Sequence, residues 1–159
     1  MATVGHLAAG FALSRLAASG SRRLDVAVIT VAAASPDVDF LLGIDHRGIT
    51  HSVGAALLVG TAVAVMYRFL QGRDSLRVGT LSAAAVLSHV ALDLLTAEAP
   101  VLALWPLSDV SYVLATTPLP SIPLDLSLLS AEGALRALGE MIWSAEVIIG
   151  ASLAARRTH

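Results

Sequence analysis

The chain contains no cysteine and no lysine, and it is poor in aromatic residues and in charge. Without cysteine there are no disulfides, no thiolate zinc sites and no cysteine nucleophile. Without lysine, all ten basic residues are arginine, a usage we ascribe to genomic base composition. The net charge of −2 leaves no basic footprint for nucleic acid, so no nucleic-acid partner is expected. Charged residues make up 14% of the chain and hydrophobic residues 56%. Ordinary soluble domains have about 25% and about 45–50%. Mean hydropathy is +0.78. Aromatics contribute only 4%, so the apolar character comes from Ala, Leu and Val, as in closely packed membrane helices. A length of 159 residues fits one domain over positions 1–159. The start lacks the basic stretch of a signal peptide, and Arg15 interrupts the first apolar segment. Entry into a membrane is therefore expected through permanent helices.

Five apolar segments are legible: about Val4 to Ser19, Asp25 to Ser35 (stopping at Pro36), Val53 to Leu70, Gly79 to Ala97, and about Ala134 to Ala155. The last three approach the ~20 residues that span a bilayer. The first two are marginal and fit tilted or bundle-packed helices. Between the fourth and fifth, Pro100 to Ser130 carries Pro106, Pro118, Pro120 and Pro123 and is expected to fold as a cap, with Trp105 and Tyr112 as interfacial anchors. The expected fold is all-α, a small integral-membrane helical bundle of about five apolar helices with a Pro-rich cap segment. Arg22 and Arg23, then Arg68, Arg73 and Arg77, then Arg156 and Arg157 fall on one side if the segments alternate up and down. The positive-inside rule then puts the N-terminus, the loop from Pro36 to Ser52 and the cap outside. Arg47 and Arg136 dissent.

Against this background, three polar islands stand out: Pro36-Asp37-Val38-Asp39, Asp45-His46-Arg47-Gly48-Ile49-Thr50-His51-Ser52, and His89-Val90-Ala91-Leu92-Asp93. His6 is a fourth candidate. Burying such groups in apolar surroundings is costly unless they are paired or bind a cation. The expected topology carries His6, Asp37, Asp39, His51 and Asp93 to one end of the bundle, with His89 one turn deeper. His89 and Asp93, spaced i and i+4, share one helix face. With His51, Asp37 and Asp39 they make an N/O ligand set suited to Zn²⁺, or to Mn²⁺ or Fe²⁺ where carboxylates dominate. His6 brings the set to one or two ions, with Asp93 or an Asp of the Pro-Asp-Val-Asp turn as bridge. Metal-bound water is a nucleophile near neutral pH, and Arg47 beside it suits the charge on a phosphoester. Each island alone also fits a bland reading. His89 with Asp93 fits a buried hydrogen-bonded pair, Pro-Asp-Val-Asp a capped turn, Thr50 an N-cap for the third helix, and Glu140 and Glu146 hydrogen-bond partners inside the bundle. Their joint occurrence favours metal.

The Pro-Asp-Val-Asp turn and Asp45-His46-Arg47-Gly48-Ile49-Thr50-His51-Ser52, followed by Leu87-Ser88-His89-Val90-Ala91-Leu92-Asp93-Leu94-Leu95-Thr96 and Leu104-Trp105-Pro106-Leu107, strongly resemble the YdjM-like family of membrane-bound, metal-dependent hydrolases. The family is in turn distantly similar to the zinc-dependent phospholipase C and P1 nuclease group. The resemblance implies a first metal at Asp37 or Asp39, His51, His89 and Asp93, and a second at His6 sharing Asp93. The later histidine-rich helix of those enzymes has no counterpart here, and Phe40 stands where family members often carry histidine. The expectation is a hydrolase of the prokaryotic plasma membrane. Its site faces outside, it cleaves a phospholipid or lipid-linked phosphate, Arg47 binds phosphate, and Thr50 and His46 orient the ligands. The alternatives are a non-enzymatic membrane protein with a structural or transported ion, and a soluble helical domain with an oily core.

Overall fold

The computed structural model describes residues 3–17, 22–72, 74–96, 99–115 and 130–156. The helices are α1 (Thr3–Ala17), α2 (Arg23–Ala34), α3 (Val38–Leu42), α4 (Val53–Leu70), α5 (Ser75–Thr96) and α6 (Ala131–Arg156). A 3₁₀ turn, Ser35–Asp37, joins α2 to α3. Among the described residues there is no strand, only an isolated bridge between Val101 and Tyr112. The architecture is thus the expected all-helical bundle.

Five of the helices correspond to the five apolar segments. The fourth begins earlier than its apolar pattern, at Ser75. The second ends near Pro36, but the chain keeps coiling through the 3₁₀ turn into α3. Proline is tolerated in a first turn because its missing N–H would have no intrahelical partner there.

α5 is the central helix and packs against α4, α2 and α1, while α6 lies against α1. Of its most apolar window 44% is buried, against 17% for α4 and for α6. These three are long and apolar enough to cross a membrane. The outer faces of α4 and α6 expose Leu57, Leu58, Phe69, Leu135, Leu138 and Met141, a surface suited to hydrocarbon rather than water.

Small residues set the central contact. A Cβ on Gly60 would lie 2.7 Å from the Ala83 Cβ and 2.8 Å from the Gly79 carbonyl oxygen. One on Gly79 would lie 2.6 Å from both the Ala64 Cβ and the Gly60 carbonyl oxygen. The α4 and α5 backbones therefore meet through glycine, as helices do in lipid, where close van der Waals approach replaces the hydrophobic drive. Ile29, Ala33, Tyr67, Val78 and Ala85 form the core below. At that end Tyr67 donates to Asp25 Oδ1 (3.1 Å), and the Arg22 backbone N–H donates to Asp25 Oδ2 (3.1 Å), so the buried carboxylate is satisfied.

The start of α4 is held by the cap. Val53 and Gly54 donate their backbone N–H groups to the Ala103 and Trp105 carbonyls (2.9 and 2.8 Å), and Ala55 donates to the Ser52 side chain (3.1 Å). These are the amides a helix leaves without internal partners. The N-cap is therefore Ser52 rather than Thr50, whose hydroxyl is committed elsewhere. Trp105 lies over Gly54, where an added Cβ would come within 2.8 Å of the indole. Pro118, Pro120 and Pro123 lie outside the described residues.

Candidate metal centre

His6 near the start of α1, Asp37 just after α2, His51 just before α4, and His89 and Asp93 in the last turns of α5 converge on one point. Starts of α1 and α4 meet ends of α2 and α5, which requires these four helices to alternate in direction. His6, His51 and His89 are fully buried and Asp93 nearly so.

Four ligand-type atoms form the centre: His51 Nε2, His89 Nε2, Asp37 Oδ1 and Asp93 Oδ2. The Nε2 atoms are 3.1 Å apart. His51 Nε2 lies 3.8 Å from Asp37 Oδ1 and 3.4 Å from Asp93 Oδ2. His89 Nε2 lies 3.5 and 3.7 Å from the same oxygens. A tetrahedral ion with bonds near 2.0–2.1 Å needs its ligand atoms about 3.3 Å apart. The five edges that involve a histidine bracket that spacing.

Both imidazoles are held from behind. His89 Nδ1 donates to the Ala33 carbonyl (2.7 Å). His51 Nδ1 faces Asp39 Oδ2 (3.2 Å) and the Thr50 hydroxyl (3.0 Å). The Ala33 carbonyl only accepts, and the Thr50 hydroxyl gives its own hydrogen to Asp39, so each Nδ1 bears a hydrogen and each Nε2 is turned inward. Two Nε2 atoms 3.1 Å apart, beside two carboxylates, require a proton or a cation between them.

Asp39 departs from its expected place. It stands behind His51, on the side away from the centre, and also takes hydrogen bonds from the Thr50 hydroxyl (3.0 Å) and the Arg47 backbone N–H (3.3 Å). The reason is helical geometry: residues two apart on a helical turn point in different directions, so Asp37 and Asp39 do not face one ion together. Asp39 therefore orients an imidazole. His46 Nδ1 reaches both Asp39 oxygens at 3.1 Å, and its ring packs on Phe40 with centroids 4.0 Å apart.

His6 lies across the other oxygen of Asp93, with Nε2 3.3 Å from Oδ1, and its ring stacks on His89 at 3.4 Å and 14°. Neither ring nitrogen makes a hydrogen bond. His6, His89 and Asp93 form one grouping able to hold an ion, and Asp37, His46 and His51 form another. Arg47 Nε lies 3.5 Å from Asp93 Oδ2. Its backbone is left-handed, φ 65°, and is fixed by its N–H to Asp39 and by its carbonyl, which accepts from Leu102 N–H (3.1 Å). Arg47 and His46 side chains are 17% and 29% exposed and Asp37 14%, so the centre opens on this side.

Beyond the islands, Glu140 is fully buried on α6, while Glu146, on another face of the same helix, is exposed. The supporting contact that sequence reasoning missed is the Ala33 carbonyl behind His89; a backbone acceptor leaves no signature in side-chain identity.

Fold and site together define a small helical membrane protein with a buried histidine–aspartate centre at one end of its bundle. The chain belongs to the YdjM inner membrane protein family, whose profile matches residues 1–158. No curated protein and no solved structure matches it. None of these comparisons supports the likeness to phospholipase C and P1 nuclease.

Proposed function

We propose that the protein is a metal-dependent hydrolase of the membrane surface, acting on a phosphoester such as a phospholipid or lipid-linked phosphate. The observation that carries this reading is the quartet of His51, His89, Asp37 and Asp93, whose inward-facing nitrogen and oxygen atoms suit a cation in kind and in spacing. Zn²⁺ fits two imidazoles and two carboxylates, and Mn²⁺ or Fe²⁺ are the next candidates. Asp93, with one oxygen on the quartet and the other on His6, is placed to bridge to a second ion.

A divalent ion there would supply an acidified water and a positive charge for phosphoryl oxygens. The chain's own groups do the rest. The Arg47 guanidinium, partly exposed beside Asp93, binds the phosphate and stabilises charge that grows during cleavage. Asp39, Thr50 and His46 hold His51 to one tautomer and one direction. The Ala33 carbonyl does the same for His89.

In this reading the centre lies on the extracytoplasmic side. Arg22 and Arg23 at the start of α2, Arg68 at the end of α4 and Arg77 at the start of α5 sit at the opposite end of the bundle, which the positive-inside rule assigns to the cytoplasm.

The test is hydrolysis by the full chain in nanodiscs, across glycerophospholipids and isoprenoid phosphates, with release of phosphate or phosphorylated head group as readout. Activity that a chelator removes, that added Zn²⁺ or Mn²⁺ restores, and that Asp93→Asn lacks supports the reading. Retention of an ion with no cleavage of any phosphoester would end it and leave a structural ion.

A further inference from the structure

Two adjoining apolar hollows, together a furrow, lie along the outside of the bundle below Thr50. Its upper part, about 580 Å³, lies between α4 and the cap and is walled by Thr50, Gly54, Leu58, Trp105 and Pro106. Its lower part, about 230 Å³, follows the α4–α5 seam over Gly60, Ala64, Gly79 and Ala83. Leu57 and Thr61 line both parts, so the two adjoin.

Three features say what fits. The furrow lies on the exposed side of a membrane-spanning helix, where Leu57 and Leu58 face the surroundings, so its occupant comes from the bilayer. From Gly54 to Ala64 α4 advances about 15 Å, at ~1.5 Å per residue. That is one leaflet, half of a hydrocarbon core about 30 Å thick. The upper end stops at Thr50, whose hydroxyl touches His51 and Asp39, and the cationic Arg47 belongs to the same cluster. An apolar slot one leaflet long that ends at Thr50, with the cationic Arg47 in the cluster beyond it, complements an anionic head group on a single chain.

We propose that this furrow seats one fatty acyl chain of a membrane phospholipid and so delivers its phosphate to Arg47 and the centre. That the bound lipid is also the substrate rests on the hydrolase reading above; that it binds does not.

The experiment reads binding without catalysis. The full chain carrying Trp143→Phe, so that Trp105 is the only tryptophan, is placed in nanodiscs containing a rising fraction of phosphatidylglycerol brominated on its acyl chain. Trp105 fluorescence should fall steeply and saturably at low bromolipid fraction. Thr61→Phe, which fills the point common to both parts, should reduce quenching at least threefold at low fraction. Val65→Phe, on the same helix but outside the furrow, should leave it unchanged. Quenching that rises only in proportion to bulk bromolipid and ignores Thr61→Phe would make the furrow ordinary lipid-facing surface and overturn the proposal. Displacement by an unbrominated isoprenoid phosphate but not by unbrominated phosphatidylglycerol would overturn the acyl assignment. Saturable quenching without hydrolysis of any lipid would refute the enzyme and leave the lipid seat intact.

Discussion

Asp39→Asn separates a residue that holds the metal from one that aims a ligand. Asp39 Oδ2 receives the Thr50 hydroxyl at 3.0 Å and the Arg47 backbone N–H at 3.3 Å, and lies 3.2 Å from His51 Nδ1. Asparagine can put its carbonyl oxygen at that position and keep the shape, leaving its amide nitrogen toward His46. What it loses is the negative charge behind His51, which raises the basicity of the inward Nε2. Removing such a supporting partner typically weakens metal binding about 10–100-fold, equivalent to about 1.4–2.8 kcal/mol. The assay is zinc affinity of the detergent-purified protein by competition with a chromophoric chelator, wild type beside Asp39→Asn and Asp93→Ala. Asp39→Asn should bind the wild-type number of ions with affinity reduced within that range. An unchanged affinity would show that His51 needs no aiming. Loss of the ion altogether, as in Asp93→Ala, would make Asp39 a ligand and refute the assignment made from the 3₁₀ turn.

Three further outcomes follow from the geometry. Gly79→Val forces a side chain into atoms 2.6 Å from its Cβ and should cost about 1–3 kcal/mol of overpacking, read as a lower thermal-unfolding midpoint in detergent. Ser52→Ala removes the α4 cap to Ala55 and the 2.6 Å bond to the Ile49 carbonyl, and should cost about 0.5–2 kcal/mol in the same measurement. Arg47→Ala should leave the number of bound ions unchanged and reduce phosphoester turnover about 10²-fold or more, as expected for loss of one donor to developing charge.

The parts of the fold legible in the sequence were those carried by long apolar periodicity. α4 begins and ends at Val53 and Leu70, because an apolar run, uncharged as far as Tyr67, is bounded by Ser52 on one side and Gly72 on the other. α5 was legible only from Gly79, since Ser75 and Arg77 interrupt the apolar pattern of its first turn. The gathering of His6, Asp37, His51, His89 and Asp93 followed from alternation of the segments alone. What the sequence hid was direction at short range. Asp37 and Asp39 are indistinguishable in a written motif, and only the coiling of Ser35–Leu42 sends one inward and the other behind His51. Thr50, expected as the cap, gives way to Ser52 because the Asp39 carboxylate claims the Thr50 hydroxyl. Glu140 and Glu146 are six residues apart, which on a helix places them on different faces, so one is buried and the other exposed.

The hydrolase reading depends on the buried histidine–aspartate cluster holding a metal ion. Elemental analysis of the purified full chain, after exposure to Zn²⁺ and removal of free ion, tests it directly with His89→Ala and Asp93→Ala alongside. One or two equivalents in the wild type, lost in both variants while helical content by circular dichroism is kept, is the predicted result. A wild type that carries no zinc, manganese or iron after loading would contradict it, and the cluster would then be a protonated hydrogen-bond network with no hydrolytic chemistry to support.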